Sequence, residues 1–250
     1  MGRYWRVGAF HGGYIVDVNF ATAWYLALQG EPEPQRLANG LAPSDMLEFL
    51  SAGLRSIHAA EELFCESGPP VDWWLRDPPP RGPNDETIVY RPEEVRLCAP
   101  VLNPARVGTD TEIVCRDQPQ CEMKLAAVIG KPGMDIQSLE ARPYIAGYTG
   151  LSDFGARRSA LGPYLVTPEE LDSPYALQAS VRINGQTSGE THTGNLRSKF
   201  EQAIETLSRR DIVLPGDVIA FRLDLQAEVR RGDVVEFEIE RIGTLRTPLA

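Results

Sequence analysis

Short runs rich in apolar residues flank Gly12-Gly13 in "YWRVGAFHGGYIVDV", residues 4–18, which predicts two short strands joined by a tight turn. A helix is predicted to follow through "FATAWYLALQ", with Gly30 placed to stop it. A longer helix is predicted from a Ser44 or Asp45 cap, with Leu47, Leu50, Leu54, Ile57 and Phe64 on one stripe. The prolines of "SGPPVDWWLRDPPPRGPNDE" exclude both a helix and a central strand, so this stretch reads as a surface loop or linker. Beyond it the period changes. "IVYRPEEVRLCAPV", "MKLAAVIG", "YALQASVRING", "DVIAFRLDL" and "DVVEFEIERIG" are strand-like, and a helix is predicted in "NLRSKFEQAIETLSRR", with Leu196, Phe200, Ile204 and Leu207 as its apolar stripe. The pattern predicts a mixed α/β, β-rich protein. A small α+β N-terminal domain covers residues 1–92, with the Pro-rich segment as its linker or lid, and a β-rich domain covers residues 93–250.

Composition narrows the classes of function. The net charge of −10 argues against a nucleic-acid or anionic-membrane partner, both of which call for a basic face. Apolar stretches fall well short of the roughly 20 residues that cross a bilayer. "MGRYWRVGAF" has no apolar signal core, so a cytoplasmic location is expected. Cys65, Cys98, Cys115 and Cys121 lack C-x-x-C spacing, which indicates neither zinc nor a disulfide framework. Lysine is scarce: of 25 basic residues only Lys124, Lys131 and Lys199 are lysines. One of them stands in "CEMKLAAVIGK", two positions after Glu122, so on a strand acid and base leave by the same face. In a chain that otherwise uses arginine, that lysine calls for a reason.

From Val95 onward the order of motifs resembles the fumarylacetoacetate hydrolase family. "VRLCAPVLNP" is similar to the family's entry strand, "CEMKLAAVIG" to its E-x-E-L-x-x-V-I-G strand, and "AGYTGLSDFGARR" to G-Y-T-x-x-N-D-x-S-x-R. "LGPYLVTPEEL" resembles G-P-W-x-V-T-x-D-E-L. "VRINGQTSGETHTGNLRSKFEQAIETLS" resembles the strand-to-helix unit of members that dehydrate sugar-derived 2-oxo acids, and "LPGDVI" and "VRRGDVVEFEIERIGTLRTPL" resemble the closing strands. The resemblance implies a mixed β-sandwich roll for residues 93–250. It also implies a homodimer formed through that domain, and a Mg²⁺ or Mn²⁺ ion held by three carboxylates and chelated by a substrate 2-oxo acid.

Residue by residue, the resemblance places Glu122 on the first metal carboxylate and Asp153 on the third, with Tyr148 before it and Arg157 after it. Lys124 stands where the second carboxylate belongs. In "NPARVGTD" the family's asparagine is kept as Asn103, but Val107 replaces the water-activating histidine and Asp110 its glutamate partner. The chain is short between Asp153 and Gly162, where the family supplies a substrate-binding lysine, and "AFRLDLQAE" stands where a T-G-T-P turn is expected. An ammonium cannot coordinate a divalent ion and repels one. Glu122, Lys124 and Asp153 together carry −1, the charge that three carboxylates and the ion would carry, so lysine can stand in for the metal.

These readings predict an enzyme without a cofactor, Mg²⁺ or Mn²⁺ entering only if the metal site is retained. Lys124, Glu122 and Asp153 are its catalytic residues, and Arg157, Tyr148, Thr191 and His192 contact a small carbonyl substrate. The two flanking acids favour the ammonium form, hence an electrophile or proton donor rather than a Schiff-base amine. Tautomerisation, dehydration, decarboxylation and cyclisation are within reach, and C–C hydrolysis is disfavoured. The alternatives are a catalytically silent relative kept for binding or assembly, and a residual Mg-dependent hydrolase or lyase. His58, in "IHAAEE", mimics the family's H-x-x-E segment from the wrong domain and reads as a surface or half-buried histidine. Trp73 and Trp74 read either as a lid or as packing on the domain surface.

Overall fold

A computed structural model describes residues 6–65, 73–74, 80–84, 88–90, 120–155 and 159–249. The chain divides into two compact units, Met1–Arg96 and Leu97–Ala250. Among the described residues no helix is long and apolar enough to cross a membrane.

In the first unit, strands β1 (Gly8–His11) and β2 (Tyr14–Asp17) pair antiparallel through a turn in which Gly12 and Gly13 take φ of 57° and 86°. Both values lie where only glycine sits without strain. A short β3 (Val89–Tyr90) adds to β2. Asp17 ends β2 and caps helix α1 (Val18–Leu28), its Oδ1 accepting from the Phe20 amide at 3.0 Å. Helix α2 (Pro34–Leu41) is absent from the sequence expectation; Pro34 stands in its first turn, where a missing N–H costs nothing.

The single long helix expected after Asp45 is two helices, α3 (Met46–Ser51) and α4 (Leu54–Glu62). Asp45 caps the first, but Gly53 at φ 67° breaks the run. Trp74 is fully buried in this unit's core beside the rings of Trp24 and Phe64, and its Nε1 donates to the Leu63 carbonyl at 3.2 Å. Trp73 packs edge-on to Trp24 at 5.1 Å. Trp74 therefore belongs to the core of the first unit, with Trp73 half-buried beside it, while His58 lies exposed on α4.

The second unit is built from two four-stranded antiparallel sheets. Strands β4 (Gln120–Ile129), β5 (Ile145–Asp153), β6 (Ser159–Val166) and β9 (Val218–Glu228) form one, in the order β6-β5-β4-β9. Strands β7 (Gln178–Ile183), β8 (Gln186–His192), β10 (Val234–Ile239) and β11 (Gly243–Pro248) form the other, in the order β11-β10-β7-β8. Inward residues of both sheets, among them Met123, Leu125, Tyr148, Val181, Leu223, Phe237 and Leu245, share one core.

Helix α5 (Phe200–Ser208) lays Phe200 and Ile204 on that core. It is shorter than expected from its stripe. Leu207 is exposed, and Ser208 is the buried residue of the last turn, its Oγ accepting from the Ile136 amide at 3.0 Å. Tyr175 Oη donates to Glu201 Oε2 at 2.6 Å and accepts from the Phe200 amide at 2.8 Å, so a phenol caps the start of α5. Burial first, and then the bond to Glu201, raise the pKa of that phenol above the usual tyrosine range.

Close packing between β5 and β6 depends on Gly150, which pairs with Gly162. A Cβ on Gly150 would meet the Gly162 carbonyl oxygen at 2.9 Å and the Phe237 ring at 3.2 Å. Backbone held in a sheet yields little. Gly150→Ala is expected to lower stability by about 1–3 kcal/mol in urea unfolding, and a wild-type midpoint would show that the two strands can separate at that point.

Candidate active site

Strand β4 lies between β5 and β9 and carries two kinds of face. Cys121, Met123, Leu125, Ala127 and Ile129 point into the core. The alternate positions point to the other side of the sheet, where Ala126 and Leu161 are buried against Leu151 and Ala220. Two and four residues before Ala126 that same face opens, and the side chains of Lys124 and Glu122 keep 21% and 32% of their surface.

Register brings the rest of the group in. Glu122 pairs with Asp153 on β5 and with Gln226 on β9, and Lys124 pairs with Leu151 and with Arg222. Lys124 Nζ donates to Asp153 Oδ2 at 2.5 Å and lies 3.6 Å from Glu122 Oε2. Arg222 Nη1 lies 3.1 Å from Glu122 Oε1, and its Nη2 donates to Gln226 Oε1 at 2.8 Å. Asp153 Oδ1 accepts from the Gly155 amide at 2.9 Å, a local turn that fixes the carboxylate. Each of the four carboxylate oxygens therefore has a partner within the group or its adjoining turn. The triad of charge −1 expected from sequence is a quartet of charge zero, because Arg222 joins it.

The remaining expected residues fall elsewhere or outside the described residues. Tyr148 is on the opposite, core face of β5, 1% exposed, with its ring 5.6 Å from that of Phe200. Burial, assisted by Glu201, pushes its phenol up to about 12. Tyr148 is thus set apart from the quartet by the full thickness of the strand. Thr191 and His192 end β8 in the other sheet, paired with Ala179 and Gln178, and His192 Nδ1 accepts from the Gly194 amide at 3.0 Å. Among the described residues no hydrogen bond or ion pair joins His192 to the quartet. Arg157, Asn103, Val107 and Asp110 lie outside the described residues.

Arg222 is the residue that sequence reasoning missed. The signal was present in "AFRLDLQAE", where Leu223, Leu225 and Ala227 alternate with Arg222, Asp224 and Gln226. What the alternation does not reveal is that β9 lies beside β4. Nor does it reveal the irregularity by which two steps on β4, from Glu122 to Lys124, face four on β9.

Residues 71–250 match the family model described as fumarylacetoacetate (FAA) hydrolase C-terminal. The chain belongs to the fumarylacetoacetate hydrolase family. A maleylpyruvate hydrolase from Aquipseudomonas alcaligenes is 36% identical over 138 residues, 50% of this chain and 48% of that protein, so the match spans about half that relative's length. A solved 5-carboxymethyl-2-hydroxymuconate delta-isomerase from Mycobacterium smegmatis is 26% identical, with a TM-score of 0.51 over 58% of this chain and 65% of that one. A solved maleylpyruvate hydrolase from Sphingobium sp. SYK-6 is only 18% identical but has a TM-score of 0.72 over 98% and 96% of the two chains, which is a likeness of fold. Among its relatives the family thus counts both hydrolases and isomerases.

Among the described residues the donor set does not fit the ion that the family resemblance implies. Glu122 and Asp153 are two carboxylates where three are needed, and their oxygens are engaged by an ammonium, a guanidinium and the Gly155 amide. Among the described residues no three His, Cys, Asp or Glu side chains gather as ligands. Restoring the third carboxylate should change this. Lys124→Glu leaves three acids against Arg222 alone, so without metal the variant is expected to melt below the parent. Mn²⁺ should then raise its melting point, by an amount equivalent to ~2.7 kcal/mol at 100 times the dissociation constant, while the parent stays unresponsive. Melting curves with and without Mn²⁺ decide it; identical metal-insensitive curves for the two proteins would refute the assignment.

Proposed function

We propose that this chain is an enzyme acting on a small 2-oxo acid or its enol by carbonyl polarisation and proton transfer, with Lys124 supplying the positive charge instead of a metal ion. The observation that carries this reading is the placement of Lys124 Nζ, 2.5 Å from Asp153 and 3.6 Å from Glu122 on the open face of β4. An ammonium has three donors, so one carboxylate hydrogen bond leaves capacity for a carbonyl oxygen. Positive charge at that oxygen stabilises the enolate that forms when a proton leaves the adjacent carbon. Asp153, tied at one oxygen by its turn and at the other by Lys124, orients the ammonium. Glu122, held at ion-pair rather than hydrogen-bond distance from Nζ, is the carboxylate that exchanges a proton with carbon. An isomerase among the relatives supports this class of chemistry. With Val107 at the position of the water-activating histidine, hydrolysis is the less favoured outcome.

The direct measurement is α-proton exchange of pyruvate and 2-oxobutyrate in D₂O, followed by NMR with EDTA present. The parent is expected to catalyse exchange at a rate EDTA leaves unchanged, and Lys124→Met to lower it on the order of 100-fold or more. A rate abolished by EDTA, or one that Lys124→Met does not affect, would rule the mechanism out. The family resemblance also supports a homodimer, for which sedimentation at micromolar concentration should give twice the 27.7 kDa chain mass; a single-chain mass would contradict it.

A further inference from the structure

Arg222 gives the site a second cation, and its position is unusual. It stands directly opposite Lys124 across the β4–β9 pair, so two positive side chains leave the same face as immediate neighbours. Like charges so placed repel, and a sheet tolerates them only where anions lie between or beside them. Glu122 answers part of that need, with one oxygen toward each cation. The guanidinium has five N–H donors; its partners within this group are Glu122 and Gln226, and its side chain remains 52% exposed. The irregular register between Glu122 and Lys124 is what sets Arg222 opposite the lysine while Gln226 stays opposite Glu122.

Resting on the reading of Lys124 as the carbonyl-polarising group, we infer that Arg222 is the specificity residue that binds the carboxylate of a 2-oxo acid. The ketone oxygen goes to Lys124 Nζ and the carboxylate to the exposed edge of the guanidinium. A 2-oxo acid carries its two acceptors on adjacent carbons, which suits two cations on directly opposed residues. A planar two-donor edge matches a carboxylate where a point charge would not. The pair of side chains thereby divides between them the two contacts that a single chelated ion would make. Within that substrate class Arg222 sets the preference for the free acid over its ester or amide and over simple ketones.

The test compares pyruvate with methyl pyruvate, which keeps the ketone and lacks the charge, by ligand-observed NMR titration. The parent should bind pyruvate at least about tenfold more tightly than the ester, the scale of a hydrogen bond to a charged group. Arg222→Gln should lose that preference by weakening pyruvate alone, and Arg222→Lys, which keeps the charge without the planar fork, should recover only part of it. Lys124→Met should weaken both probes. Arg222→Gln with an undiminished preference for pyruvate overturns the role of Arg222 while leaving Lys124 standing. Lys124→Met with unchanged binding of both probes overturns the reading beneath it, and a parent that binds pyruvate no better than the ester overturns the substrate class. Melting curves of the variants accompany the titrations; if Arg222→Gln does not fold, the partial recovery expected of Arg222→Lys carries the decision.

Discussion

The period-two alternation of β4 is the constraint on which the second unit depends. One set of its side chains closes the core shared by the two sheets, and a one-residue slip would exchange that set for Glu122, Lys124 and Ala126. The apolar face therefore fixes the register, and the register in turn fixes which charges meet. Glu122 stands opposite Asp153 and Lys124 opposite Arg222 because Leu125 and Met123 must be inside, and the ion pairs then run diagonally, Lys124 to Asp153 and Arg222 to Glu122. Site and core are two consequences of one pattern.

Four charges on a half-open face are held by geometry more than by depth. Ion pairs with this much solvent contact contribute little stability individually, and their value lies in setting direction. Asp153 is anchored by the turn through Gly155, which takes φ of 71°, so the acid does not wander with its lysine. Lys124 is stretched between two acids, and Arg222 between Glu122 and Gln226. Such cross-bracing orients groups that would be floppy singly.

Much of this was legible in the chain, for identifiable reasons. Glu122 and Lys124 share a face on any strand, and Gly12-Gly13 names its own turn. Other features needed the tertiary fold. Gly53 stands in a stretch whose stripe continues past it, and only its φ of 67° shows that the helix stops there. Leu207 obeys the helical stripe yet faces solvent, because the loop through Ile136 takes Ser208 instead. Tyr148 belongs to a motif next to the site but has the wrong parity to reach the open face. Arg222 was hidden because its neighbour on β4 is far away in sequence and the strand pairing contains an irregularity that no local pattern announces.

A neutral quartet in a chain of net charge −10 has a kinetic consequence. Whereas a cationic cleft would draw an anion from a distance, a site with two acids and two bases casts little field beyond its own side chains. The carboxylate of the proposed substrate would be met first by the repulsion of a chain of net negative charge and would feel the two cations only on contact. Counterions shorten the reach of that repulsion, to about 8 Å at physiological ionic strength. Capture of the proposed acid substrate would accordingly quicken as salt is added up to that range, the reverse of the behaviour of a sink built from positive charge.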